Sequence, residues 1–151
     1  MKRFVNTAET YYRFNFIILL AVCVPLMLLC LWPLLLVSED PAATVGLMLV
    51  MIPVALPMLG FVIYYLVQYL YYRNVELSFV QEAVLGPTST GMMRLVGFRT
   101  VVMINGVERE MTTKRVFNAS VYGVNPIDNY SGRTALVGYN AARDELVVIS
   151  G

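Results

Sequence analysis

Two long stretches without a charged side chain, 14–37 and 44–72, dominate the pattern of this chain. Each exceeds the roughly 20 apolar residues that a helix needs to cross the hydrocarbon core of a bilayer, so the pattern predicts two transmembrane helices over those residues. Between them, Ser38-Glu39-Asp40-Pro41-Ala42-Ala43 joins turn-forming residues to two carboxylates that would be costly at membrane depth. Residues 38–43 are read as an external loop, the two spans as a helical hairpin, and 1–13 as a short N-terminal segment.

From Asn74 onwards the apolar residues recur in strand-like runs broken by Gly, Asn, Pro and Asp. A first strand is expected at 75–85, although Phe79, Val80, Ala83 and Val84 fit a helical face equally well, which leaves a prolonged second helix open. Gly86-Pro87-Thr88-Ser89-Thr90-Gly91 reads as a loop. Over 95–104, Val96, Phe98, Thr100, Val102 and Ile104 fall on one face of a strand and Arg99, Val101 and Met103 on the other. Asn105-Gly106 is the strongest local signal, because a two-residue type I′ turn needs positive φ at both positions. Residues 107–117 should return antiparallel, 118–132 carries too many breakers for a regular element, and 133–139 with 145–149 form a last hairpin around 140–144. The fold class expected is an α+β membrane protein: a transmembrane helical hairpin followed by a small antiparallel β-barrel, OB-like or SH3-like, over 73–151. A closed barrel would leave no edge strand exposed.

Composition sharpens the membrane reading. The chain is 58% hydrophobic and 14% charged, and residues 14–72 hold only Glu39 and Asp40 among charged side chains. Lys2, Arg3, Arg13 and Arg73 flank one side of the hairpin and no basic residue flanks the other, which predicts cytoplasmic termini. Aromatic residues agree: Tyr11, Tyr12, Tyr69, Tyr71 and Tyr72, with Arg13 and Arg73, mark one membrane interface, and Trp32 the opposite one. A cleaved secretory signal is the poorer reading of the first span, which is longer than a typical signal core and lacks a small-x-small cleavage site. Cys23 and Cys30 are too far apart along one helix for a disulfide and are expected to pack. Pro25, Pro33, Pro53, Pro57 and Gly60 fit ordinary membrane helices better than a gate, since no ionisable side chain accompanies them.

Candidate chemistry is sparse. The chain has no histidine, which removes imidazole bases and ligands, and no nucleotide loop, paired-cysteine metal site or nucleophile elbow occurs. Gly86–Gly91 has the small residues of a phosphate cradle without the lysine and helix that would complete it. Glu108 and Glu110 share one strand face beside Arg109, a pattern of exposed cross-strand charge. No cofactor is expected, and a net charge of +1 offers no basic field for nucleic acid. The long loop is the candidate recognition segment: Tyr122 and Tyr130 supply amphipathic contact area, and Asn125, Asp128 and Asn129 supply directional hydrogen bonds.

Two spans followed by a short β-module resemble the small NfeD-like bacterial membrane proteins. Gly132-Arg133-Thr134-Ala135-Leu136-Val137-Gly138-Tyr139-Asn140, following Ile104-Asn105-Gly106, also resembles an uncharacterised bacterial family whose β-module reads glycine, a valine-bearing strand, then tyrosine and a polar turn. The resemblance implies a bacterial inner (plasma) membrane protein acting through contacts, with no catalytic residue carried over. The expectation is a non-enzymatic accessory or assembly subunit whose partners are the lipid bilayer, other membrane-protein subunits and further copies of itself. A homo-oligomeric pore or gate, a membrane-protease modulator and a membrane immunity protein are its rivals.

Overall fold

A computed structural model describes residues 5–32, 41–86, 88–90, 95–117 and 130–150. The architecture is α+β: two long apolar helices, then antiparallel sheets. In chain order the elements are β1 (Val5–Asn6), α1 (Thr7–Leu31), α2 (Pro41–Asn74), β2 (Phe79–Val84), β3 (Thr88–Thr90), β4 (Leu95–Ile104), β5 (Val107–Thr112), β6 (Val116–Phe117), β7 (Thr134–Asn140) and β8 (Glu145–Ser150). They divide into two compact units, Arg13–Gln68 and the combination of Met1–Tyr12 with Tyr69–Gly151.

The Arg13–Gln68 unit is helical throughout its described residues. Both helices are long and apolar enough to cross a membrane. Pro25 lies inside α1, and Pro53 and Pro57 lie inside α2. Cys23, Thr44, Ala55 and Val62 are buried, while large apolar side chains elsewhere are open, Leu49 being 70% exposed and Val50 66%. Cys23 and Cys30 are free thiols, and the Cys30 Sγ approaches the Met51 carbonyl of α2 at 4.0 Å.

In the other unit the strands form two four-stranded sheets. One has the order β1-β8-β7-β2, and the other has the order β3-β4-β5 with β6 also on β4. Residues 79–84 are thus a strand, not a continuation of α2, which ends at Asn74 after Arg73, a cation suited to the negative end of a helix. The alternation over β4 places Val96, Phe98, Thr100, Val102 and Ile104 inside and Arg99, Val101 and Met103 outside, as its period requires. Asn105 and Gly106 both have positive φ, 52° and 81°, and Ile104 pairs with Val107 across them. Between the sheets lies one core, built from Ala83, Leu85, Phe98, Val102, Ile104, Val137, Leu146 and Val148.

Three expectations need correction. The sheets do not close into a barrel. The return from the Asn105-Gly106 turn is not one strand but β5 and β6, because Arg99 faces Thr112 whereas Val96 faces Val116. Gly97 and Phe98 therefore oppose Thr113, Lys114 and Arg115, one extra residue, and the strand bulges. The bulge re-aims backbone donors: Thr113 N–H bonds the Phe98 carbonyl at 2.8 Å, but Lys114 N–H turns to the Leu146 carbonyl at 2.6 Å. At the other corner Gly86 N–H reaches the Arg99 carbonyl at 2.7 Å, and the Thr100 hydroxyl donates to the Val84 carbonyl at 2.9 Å. Isolated backbone bonds and a threonine side chain thus join the sheets where a barrel would have a continuous ladder. The third correction is that Thr88–Thr90 is a strand, pairing with Val96–Phe98, so the 86–91 segment is not all loop. The N-terminal segment contributes a short strand: Val5 pairs with Ser150 and Asn6 with Ile149.

Candidate functional site

The best-organised polar cluster surrounds the last turns of α2. Tyr72 is 1% exposed, and Tyr12, at the second turn of α1, stacks on it with ring centroids 5.2 Å apart and planes 5° from parallel. Offset aromatic contacts at this distance add to the area that the rings bury. Tyr71 and Tyr11 meet these two rings edge-on, at 5.2 Å and 5.1 Å.

The β7–β8 hairpin supplies the polar half. Asn140, the last residue of β7, is 1% exposed and its amide is fully used: Nδ2 donates to Tyr71 Oη at 2.9 Å and Glu145 Oε1 at 3.1 Å, and Oδ1 accepts from the Ala142 N–H at 3.2 Å. The last of these folds the turn, which explains an asparagine at a strand end. Tyr72 Oη donates to Glu145 Oε1 at 2.8 Å, and Lys114 Nζ lies 3.4 Å from Glu145 Oε2. The same ammonium is 5.6 Å from the Tyr72 ring centroid, within cation–π range. Arg143, in the turn itself, stacks its guanidinium 3.6 Å from the Tyr71 centroid and brings Nη1 within 3.5 Å of Tyr72 Oη.

Asn6 joins the helix ends. Its Oδ1 accepts from the Glu9 N–H at 2.7 Å, an N-cap on α1, and its Nδ2 donates to the Tyr72 carbonyl at 3.0 Å, one of the carbonyls left over at the end of α2. One side chain thus satisfies both a helix start and a helix end. Replacement of Asn6 by alanine is expected to cost about 2 kcal/mol, since a cap and a buried acceptor are lost together. Hydrogen exchange at Glu9 and Ile149 should accelerate accordingly, and unchanged rates at both would contradict the assignment.

The predicted membrane-interface residues fall into two groups. Tyr12 and Tyr72 are covered by protein, while Arg13, Trp32 and Arg73 are exposed and Tyr11, Tyr69 and Tyr71 are partly so. Arg73 Nη1 lies 3.4 Å from the Tyr69 hydroxyl one turn earlier. Of the predicted recognition residues, Tyr122, Asn125, Asp128 and Asn129 lie outside the described residues. Tyr130 is described, and it is half-buried with its ring centroid 6.2 Å from that of Phe98. Burial raises its phenol above the usual range. It belongs to the packing around the core more than to an open surface.

Comparison with protein families, with curated proteins and with solved structures finds no match. The residues that the sequence reading missed are Asn6, Asn140, Arg143 and Glu145. A lone asparagine before a helix and a polar turn were visible, but nothing local joins them to tyrosines at the end of α2.

Elsewhere the β-unit shows smaller polar groupings. Tyr139 Oη donates to Asp144 Oδ1 at 2.7 Å, Arg109 lies 3.5 Å from the same oxygen, and the bond to Asp144 holds the Tyr139 phenol above its ordinary range. These are exposed contacts that tie β5 to the hairpin turn. Among the described residues no group of three His, Cys, Asp or Glu side chains is placed to hold a metal. The collar of tyrosine, asparagine and paired charges is chemically suited to fixing positions, because each donor and acceptor named in it is already matched to another.

Proposed function

We propose that the chain is a non-enzymatic accessory or assembly subunit of a bacterial inner-membrane complex, anchored by α1 and α2 with both termini cytoplasmic, whose β-unit binds partner subunits. The observation that carries the reading is the uncovered apolar surface of both helices. Leu28, Leu49, Val50 and Leu56 are each more than 60% exposed, part of an apolar expanse far larger than soluble monomers leave in water. A bilayer covers such a surface. Lys2, Arg3, Arg13 and Arg73 set the orientation through the positive-inside preference.

The β-unit supports a binding role through its outer face. Val101 and Met103 are exposed on this face of the β4–β5 hairpin among Arg99, Glu108 and Glu110, an apolar centre with a charged rim. The segment bearing Tyr122, Asn125, Asp128 and Asn129 adds a second recognition element to the proposal.

The test is purification of the tagged, natively expressed chain from mild-detergent membranes, with mass spectrometry of identity and stoichiometry. Foreign subunits in a fixed ratio are the expected result, and the Tyr122→Gly, Asp128→Lys double variant should lose them without losing folded β-unit. A homo-oligomer alone would overturn the accessory reading in favour of a pore or gate. A monomer would overturn both.

A further inference from the structure

We infer that the outer face of the β4–β5 hairpin docks on the same face of a second copy of this chain, related to the first by a two-fold axis. The inference rests on the membrane-anchored binding role proposed above and names the occupant of that face. Three observations carry it.

First, the register defines the face. Arg99 pairs with Thr112, Val101 with Glu110 and Met103 with Glu108, and residues paired across an antiparallel ladder project from the same side of the sheet. All six are exposed, whereas Thr100, Val102 and Ile104, on the opposite side of β4, are buried.

Second, the charges on this face answer one another between copies. No ion pair or side-chain hydrogen bond joins Arg99, Glu108 or Glu110 to another described residue. Arg99 and Thr112 form one row across the two strands, Val101 and Glu110 the next, about 7 Å further along, and Met103 and Glu108 the last. When a second copy is set face to face, with the two-fold axis crossing the strands between the first two rows, Arg99 stands beside the partner's Glu110 and Glu110 beside the partner's Arg99. No glutamate then faces another. One placement makes two ion pairs, the reciprocity that an isologous interface requires, and covers Val101 and Met103 at the same time.

Third, the sign and size of the patch suit a copy held in the same membrane. Two carboxylates against one guanidinium leave the face net negative, which an anionic headgroup layer repels. Six side chains are far fewer than the roughly 20–30 residues a side of a stable soluble complex. Two copies anchored in one bilayer need less contact, because anchorage raises their effective concentration.

The full chain carrying a donor or an acceptor fluorophore, reconstituted into phosphatidylcholine liposomes over a range of protein-to-lipid ratios, reads self-association as energy transfer. Arg99→Glu and Glu110→Arg should each weaken association about tenfold, two attractions being replaced by two repulsions. Mixed one to one, with the donor on one variant and the acceptor on the other, they should regain the wild-type level, since each contact again joins opposite charges. Energy transfer at the random level in the wild type would overturn the inference, as would single variants that associate like the wild type or a mixture that fails to recover. If a charge reversal disturbed the fold, seen as faster hydrogen exchange at Phe98 and Val102, Arg99→Gln would decide: unchanged association of that variant with a folded β4 overturns the inference. Native purification keeps the two readings apart. Foreign subunits recovered with a single copy of the chain would overturn the dimer alone, and two copies without foreign subunits would overturn the accessory reading alone.

Discussion

Alanine in place of Phe98 is expected to destabilise the β-unit by about 3–5 kcal/mol, the cost of removing a buried aromatic ring from a core that cannot fully collapse. Phe98 is 2% exposed and belongs to the core between the sheets, against the ring of Tyr130. The surrounding backbone is pinned. Phe98 N–H donates to Thr113 Oγ1 at 2.9 Å and its carbonyl accepts from the Thr113 N–H at 2.8 Å, so the bulge holds both main-chain groups of this residue. Its neighbour Gly97 admits no side chain: a Cβ there would stand 2.8 Å from the Thr113 carbonyl oxygen. Relaxation into the vacated volume would have to break these contacts. Native-state hydrogen exchange of β4 and β8 amides measures the loss, and a change below about 1 kcal/mol would show that the ring does not fill the core as described. Phe98→Leu should recover more than half of it.

The second large effect is expected at Tyr72. Tyr72→Ala removes a ring stacked on Tyr12 and the hydroxyl that donates to Glu145, and strips the Lys114 ammonium of its aromatic face. The loss should again be about 3–5 kcal/mol in the opening free energy of the β-unit, with the greatest acceleration at Asn6 and Ile149, the residues that depend on the α2 end. Tyr72→Phe separates the two contributions. It keeps the stack and gives up one hydrogen bond to a carboxylate that retains Lys114 and Asn140, so about 1 kcal/mol is expected. Equal losses in the two variants would mean that the hydroxyl, not the ring, fixes the helix end.

What the sequence discloses here follows from the range of the interactions. The two-residue alternation over β4 and the positive φ of Asn105-Gly106 are local properties, and the structure has both at the expected positions. The two apolar helices are equally plain, since length and composition decide them. The split of the return strand into β5 and β6 was hidden because it turns on one extra residue at Thr113–Arg115, which no periodicity announces. Thr88–Thr90 was read as loop from its small polar residues, yet its backbone pairs with β4 regardless of side-chain type. The tyrosines at the end of α2 illustrate the same limit. A belt of aromatics beside an apolar run points to an interface, but only the fold shows that Tyr12 and Tyr72 cover one another while Tyr71 receives Arg143. Asn6 carries no signal for Tyr72, sixty-six positions away.

The pairing of β1 with β8 also imposes a condition of parity. Val5 and Ser150 are hydrogen-bonded neighbours, yet the whole of α1 and α2 lies between them along the chain. If α1 and α2 insert in a bilayer, two traverses bring the chain home and a single one strands β1 on the opposite face from β8. The ladder would therefore form only after an even number of crossings, once β8 has followed both helices along the chain. A misthreaded chain would be left with an incomplete sheet and exposed strand edges, the kind of surface that proteases and chaperones act on. If both helices insert, the pairing of β1 with β8 would make completion of the β-unit depend on that insertion.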